Sequence, residues 1–445
     1  MPTERLAALR LAWASYLQPR PLAMLFLGFS AGLPFLLVFS TLSAWLREAG
    51  VDRTTIGLLS WVGLAYSFKL IWAPLIDRAP IPLLTPWLGR RRAWMLVAQL
   101  ALVVGLAAMA HGDPATRLTA LAVLAVAVAF ASATQDIVID AWRIESAPQS
   151  LQGTMAAAYQ LGYRFGLMAA TAGALWLAGE FGWRAAYLAM AAAVGVGLVT
   201  TLIIREPEAR PEAITPPVPG QGRVGALLQR AVIAPLADFF QRNGVRKALL
   251  ILAFIGSFRL TDYTMGVMAN PFYLDTGYTL QEIAIVAKGW GVIASILGVL
   301  IGGWGVLQFG VLRALVIGGI MVIATNLAFL TLALQDSPGL LALGLVVGAD
   351  NLAYNFAGTA FIAYLSGLTN IAYTATQYAL FSSLFSLPGK LLMGASGAVV
   401  DSFGYPVFFA YTSMLGLPSL ALILWLRRWA PGPNEISPQP AYKPS

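Results

Sequence analysis

Long stretches of apolar sequence with scarcely a charge recur along this chain, and they constrain its fold more than any other feature. A helix rises 1.5 Å per residue, so about 20 apolar residues cross the roughly 30 Å of hydrocarbon in a bilayer. On that criterion the sequence predicts twelve spans: 22–46, 55–76, 93–111, 117–142, 153–178 and 184–204, then 247–271, 281–303, 312–334, 339–366, 374–399 and 405–427. In lipid the backbone must satisfy its own polar groups, and runs this long do so as helices. The expected fold class is an all-α membrane protein. Composition agrees: 58% of the 445 residues are hydrophobic and 11% charged, where a soluble domain carries about 25% charged residues. The first apolar stretch is too long for the core of a cleavable leader, and more spans follow it, so no leader is expected.

Charge is sorted by side. Nineteen Lys and Arg fall in the end segments and in the loops on the N-terminal side of the bundle; only Arg47, Arg53, Arg117 and Arg184 fall in the opposite loops. Basic loops stay cytoplasmic, so both termini are expected there. The formal charge of +8 is then a topological signal. Basic residues scattered over short loops make no nucleic-acid surface. The chain has no cysteine and one histidine, His111, which argues against disulfides, thiolate chemistry and a histidine metal centre. Neither metal nor cofactor is expected. No nucleophile motif or phosphate-cradling loop is present, so an enzyme is not expected either.

Residues 205–246 interrupt the apolar pattern. Pro207, Pro211, Pro216, Pro217 and Pro219 open a loop; Leu227, Leu228, Val232, Leu236, Phe239 and Phe240 then recur at near-helical spacing among Arg223, Arg230 and Arg242. That predicts an amphipathic helix on the cytoplasmic face. The chain then divides into an N-terminal six-helix bundle (1–204), a linker (205–246), a C-terminal six-helix bundle (247–428) and a cytoplasmic tail (429–445). A faint repeat, Ala49–Ile56 against Thr276–Ile283, leads into the second and the eighth span. Six plus six spans with an internal repeat is the arrangement of the major facilitator fold. Asp77-Arg78 followed by Gly89-Arg90-Arg91-Arg92 resembles the signature of that superfamily, with Ala79–Leu88 inserted. The second half has no good copy, since Gly302-Gly303-Trp304 lacks an acid. A carboxylate at a helix end can pair with basic groups across the halves and latch one conformation. Asp77, Arg78, Arg90, Arg91 and Arg143 are the gate candidates; the plain alternative is that the arginines only anchor topology.

A charge at the centre of a membrane helix costs about 2.5–3.5 kcal/mol on insertion scales, so each one needs a reason. Asp136 and Asp140, four apart on one helix face, are a possible proton-carrying pair. Asp140 also has an alternative partner in Arg143. Asp262, three residues after Arg259, and Asp350 are the further proton candidates. Tyr66 and Lys69 in the second span, Gln135 in the fourth, Tyr159, Gln160, Tyr163 and Arg164 in the fifth, and Asn351 and Asn355 in the tenth are candidate substrate contacts. Aromatic rings suit sugar faces and cations suit carboxylates. The alternative for each is hydrogen bonding between helices.

Several of these runs resemble one transporter family. Phe29-Ser30-Ala31-Gly32-Leu33-Pro34, the stretch Phe68–Arg78, Gly89–Arg92, Ser132–Trp142 and Leu161-Gly162-Tyr163-Arg164 are similar to the AmpG muropeptide permeases. The match is dense over about 21–205 and looser after 246. The resemblance implies proton-driven uptake of N-acetylglucosaminyl-1,6-anhydro-N-acetylmuramyl peptides from periplasm to cytoplasm, with a place in cell-wall recycling and β-lactamase induction. The implied partners are the muropeptide, protons and the bilayer, and a monomer is expected. Some family members carry two extra helices between the halves, which 205–246 is too short and polar to supply. A transporter of acetyl-coenzyme A type, or a drug or metabolite exporter, is the alternative on the same fold.

Overall fold

The structure, a computed structural model, describes residues 14–51, 55, 59, 62, 64–208, 233–336, 338–393 and 395–428. The regular structure among these residues is all helical, joined by short turns and loops, with no strand. The first crossing is α1 (Pro19–Leu37), continued after a short break by α2 (Ser40–Glu48). The second, described only in part, holds α3 (Leu64–Phe68), a 3-10 turn (Lys69–Ile71) and α4 (Ala73–Arg78), where Pro74 starts the new helix. After the short α5 (Thr85–Leu88) come α6 (Arg90–Ala110), α7 (Leu118–Ser146), α8 (Gln152–Met168), a π segment (Ala169–Gly173) and α9 (Ala174–Ile203). The later part holds α10 (Ala234–Asn243), α11 (Val245–Ser257), α12 (Leu260–Asp275), α13 (Leu280–Ile283), a π segment (Ala284–Trp290), α14 (Gly291–Phe309), α15 (Val311–Ala333), α16 (Leu340–Leu368), α17 (Thr374–Met393) and α18 (Ser396–Arg427).

Nine helices among the described residues are long and apolar enough to cross a membrane; twelve spans were expected. The difference has physical causes. Gln149–Ile203 is one run of 55 residues, far longer than one crossing needs, and it contains two predicted spans. Inside it Gly182 has φ +82°, a conformation open to glycine and costly for other residues. The second predicted span is described only in part. The eleventh corresponds to α17, which carries Thr374, Thr376, Gln377, Ser382, Ser383, Ser386 and Lys390, too polar a run to count by hydropathy. A second glycine turn, Gly404 at φ +77°, interrupts α18. Of the predicted linker helix, Leu227, Leu228, Val232, Arg223 and Arg230 lie outside the described residues, as does the tail. The remainder forms α10, which buries Pro235 and Phe239.

Side chains sort as a lipid-facing bundle requires. Val104, Val123 and Leu341 are 67%, 63% and 77% exposed, an arrangement that suits hydrocarbon. The tightest packing joins α1 to α8. A methyl group on Gly28 or Gly32 would strike the carbonyl oxygens of Tyr159 and Tyr163, and one on Gly162 or Gly166 would strike those of Leu25 and Phe29. Each helix thus contributes a glycine pair spaced by four, which lets the two backbones touch. That contact fixes the rotation of α8, and with it the direction of Tyr159, Tyr163 and Arg164.

Candidate gate and substrate path

One end of the bundle is rich in arginine, and there the early and late parts of the chain are tied together. Asp77, near the end of α4, accepts hydrogen bonds from the backbone N–H groups of Ala375 (2.9 Å) and Thr376 (2.7 Å) and from the Thr376 hydroxyl (2.7 Å). These N–H groups belong to the first turn of α17, where a helix has donors with no partner of their own and a partial positive charge. The same carboxylate takes a 2.8 Å ion pair from Arg91. Arg91 also donates to Glu145 through Nη2 (2.5 Å) and Nε (3.0 Å), and it is 1% exposed. Glu206 caps α6 by accepting from the backbone N–H groups of Arg91 (2.7 Å) and Arg92 (3.0 Å). Burial raises the Glu206 carboxyl above its ordinary range, against the lowering effect of those two donors. Arg78 lies 5.8 Å from the Tyr373 ring centre, and Arg90 opens α6, half-buried.

A second tie lies one layer deeper. Arg143 is fully buried, donates to Ser366 (2.6 Å) and Gln152 (3.2 Å), pairs with Asp140 at 3.1 Å, and sits 5.3 Å over the Tyr378 ring. Asp140 is therefore engaged by Arg143 and not by a second carboxylate. Asp136, expected to act with Asp140, lies one turn away, within electrostatic reach of Lys69 and Asp140 and beside the Tyr159 hydroxyl.

The third tie crosses mid-bundle. Gln160 donates to the Thr359 hydroxyl at 2.6 Å, and Arg164 donates to the Asn355 side-chain oxygen. Arg259 pairs with Asp262 at 2.6 Å and stacks 4.2 Å over the ring of Tyr354, which is 40% exposed. Gly358 makes room for this, since a methyl there would strike the Arg259 guanidinium and crowd Gln160. Tyr159 and Tyr163 stand with ring centres 6.0 Å apart on the same stretch of α8.

The structure thus brings together Gln160, Arg164 and Asn355, with Tyr159 and Tyr163 alongside; Tyr66 and Lys69 approach Asp136 from the second crossing. Other predicted residues point elsewhere. Gln135 is fully buried within the early helices and accepts from Ser30 at 3.2 Å. Asn351 accepts from Ser295 at 2.8 Å and donates to the Val347 carbonyl. Asp350 accepts from Thr325 at 3.0 Å, away from the Arg164 side of its helix. Sequence reading passed over Glu145, Thr359, Ser366 and Thr376, whose partners are distant in the chain. The glycine pairs of α1 and α8 carried a readable signal in their spacing.

The geometry is that of a helical membrane bundle closed at its basic end around a polar interior. The family model of the Major Facilitator Superfamily matches residues 24–393. Two solved structures share the fold. The proton:xylose symporter XylE bound to 6-bromo-6-deoxy-D-glucose aligns at TM-score 0.66 and 14% identity, over 94% of this chain and 96% of that one. FucP in the outward conformation aligns at TM-score 0.68 and 15% identity, over 92% and 99%. The chain has the major facilitator fold and is a membrane transporter, not an enzyme. It is 39% identical to the anhydromuropeptide permease of Escherichia coli K12 over 414 residues, 92% of this chain and 80% of that protein. It is 36% identical to putative transporter AmpG 4 of Rickettsia felis, over 90% of this chain and 95% of that one. The chain belongs to the AmpG-type permease family.

Proposed function

We propose that this transporter imports anhydro-muropeptides from periplasm to cytoplasm, driven by the proton gradient, as a monomer in the bacterial inner membrane with both termini cytoplasmic. The observation that carries the reading is the state of Arg164. Four arginines lie inside the bundle. Arg91 faces Asp77 and Glu145, Arg143 faces Asp140, and Arg259 faces Asp262. Among the described residues Arg164 has only the neutral oxygen of Asn355. A carboxylate makes a stronger, charge-assisted partner for a guanidinium than an amide does, so an anionic ligand competes well there. Tyr159, Tyr163 and the partly exposed Tyr354 supply flat surfaces for sugar rings. A sugar bearing a peptide with free carboxylates fits both features, and the name of the Escherichia coli relative supports the choice.

In this reading Asp77, Arg78, Arg90, Arg91 and Arg143 form the cytoplasmic gate, which must open to release substrate. Asp136 is the proton carrier: Asp140 and Asp262 are ion-paired with Arg143 and Arg259, and Asp350 lies away from the Arg164 side of its helix. The deciding experiment is uptake of labelled anhydro-muropeptide by proteoliposomes under an imposed proton gradient. Accumulation that collapses with the gradient supports the proposal. Efflux only, or uptake of acetyl-coenzyme A in preference, would replace it with one of the alternatives.

A further inference from the structure

Three buried oxygens of the early helices make no well-formed hydrogen bond among the described residues: Tyr66 Oη, Ser132 Oγ and Asp136 Oδ1. They are neighbours. Ser132 and Asp136 are one turn apart on α7 and share a face. Tyr66 stands against that face from α3, its hydroxyl close enough to that of Ser132 to share a weak hydrogen bond, which leaves the remaining donor and acceptor capacity of both hydroxyls unused, and within electrostatic reach of Asp136. The Phe35 ring closes the other side, edge-on to Tyr66 at 5.3 Å between centres.

Ser132 is the telling member. A serine or threonine in a membrane helix usually turns its hydroxyl back onto the carbonyl four residues earlier. Thr134 does so onto Phe130 at 2.8 Å, and Thr359 onto Asn355 at 3.0 Å. Ser132 is fully buried and does not. Each of the two hydroxyls offers a donor and an acceptor, and the carboxylate offers an acceptor. Buried polar groups in such a constellation are satisfied by water, which takes two to four partners of this kind.

We propose that Tyr66, Ser132 and Asp136 hold a water molecule that passes the coupling proton to Asp136, with Ser132 as its positioning residue. The inference rests on the reading of Asp136 as proton carrier. The water gives one proton to Asp136 Oδ1 and takes a replacement from the next water on the path. Tyr66 and Ser132 keep their protons and orient the donor. The other groups facing Asp136 are Lys69 from the second crossing, Asp140 with its partner Arg143 on the same helix, and Tyr159 and Tyr163 from α8.

The test compares Ser132→Ala and Ser132→Thr in proteoliposomes. Uphill uptake is measured against external pH, and substrate counterflow is measured without a gradient. Ser132→Ala should slow uphill uptake about tenfold, the worth of one well-placed hydrogen bond, and displace its pH profile, with counterflow unchanged. Ser132→Thr, which keeps the hydroxyl, should restore the profile, and Tyr66→Phe should displace it in the same direction. An unchanged profile in Ser132→Ala overturns the relay, as does an equal loss of uptake and counterflow. Asp136→Asn separates the two ideas. If it abolishes uphill uptake while Ser132→Ala has no effect, the relay is wrong and the carrier stands. If it leaves uphill uptake intact, both fall.

Discussion

The ties at the basic end and the ties at mid-bundle join the same two parts of the chain with different chemistry. At the basic end a carboxylate meets both a guanidinium and a helix N-terminus: Asp77 holds Arg91, Ala375 and Thr376 together. At mid-bundle the bonds are amide to hydroxyl, Gln160 to Thr359, and guanidinium to amide, Arg164 to Asn355. The first set is complete in itself, with the guanidinium of Arg91 held between two carboxylates and the helix end capped. The second is made of bonds that a ligand with carboxylates and hydroxyls can replace at little cost. Closure at the basic end is therefore intrinsic to the protein, whereas the mid-bundle contacts are exchangeable for substrate.

The largest expected effect breaks the first set. Asp77→Ala removes the shared acceptor; Arg91 keeps Glu145, but the α17 N-terminus loses its cap and the tie between the two parts of the chain is cut, a loss of roughly 3 kcal/mol for three hydrogen bonds to a buried carboxylate. The basic end should then open. The sequence contains no cysteine, so a single reporter, Ala379→Cys, buried at 1% exposure, reads this out by reagent accessibility. Unchanged labelling in Asp77→Ala would reduce the arginines to topology anchors.

Next comes Arg164→Ala, which strikes the second set. Loss of a hydrogen bond to a charged group is worth about 1.5–3 kcal/mol, roughly a 10- to 150-fold weaker affinity for a carboxylated muropeptide. A neutral disaccharide lacking the peptide should bind as before. Equal loss for both ligands would make Arg164 a structural residue, and the comparison would fail at its centre.

Gly162→Ala tests how Arg164 is aimed. The new methyl meets the backbone carbonyl of Leu25, which no side-chain movement can relieve, whereas one on Gly179 meets nothing within 4 Å. Overpacking of this kind costs about 1–3 kcal/mol. Thermal melting in detergent should fall for Gly162→Ala and stay put for Gly179→Ala. Similar melting of the two would mean that α1 and α8 can separate freely.

How much of this was legible beforehand depends on sequence distance. Asp140–Arg143 and Arg259–Asp262 lie three apart, so helix geometry alone puts each pair on one face, and both pairings were foreseeable. Asp77 and Thr376 are 299 positions apart, and Arg164 and Asn355 are 191 apart. No local rule joins them; only the packing of whole helices does. Glu145 reads as an ordinary charge at a helix end until Arg91 is seen beside it. Gln135 shows the opposite case. It was a candidate substrate contact as a polar residue in the fourth span, but it is fully buried and accepts from Ser30, and since a helix turns 100° per residue it faces other neighbours than Asp136 does. The nine long apolar helices fall short of the twelve expected spans where the second crossing is described only in part, where α17 is polar, and where one run carries two spans across the turn at Gly182.

The smallest effect belongs to Thr359. Its hydroxyl accepts from Gln160 and donates to the Asn355 carbonyl at 3.0 Å on its own helix. Thr359→Val keeps the shape and removes one neutral hydrogen bond, worth about 1 kcal/mol. If the mid-bundle contacts exchange for substrate, the bond is lost on binding in the parent protein and absent throughout in the variant. Affinity should therefore rise slightly, by a few-fold at most, because less is broken when the ligand enters. If Gln160 and Thr359 instead form a ligand-independent brace like Asp77 with α17, affinity should not rise, and the Ala379→Cys reporter should label faster as the halves loosen. Binding measured by tryptophan fluorescence or calorimetry, set beside the labelling rate, distinguishes the two, and only tighter binding with unchanged labelling preserves the contrast between the two sets of ties.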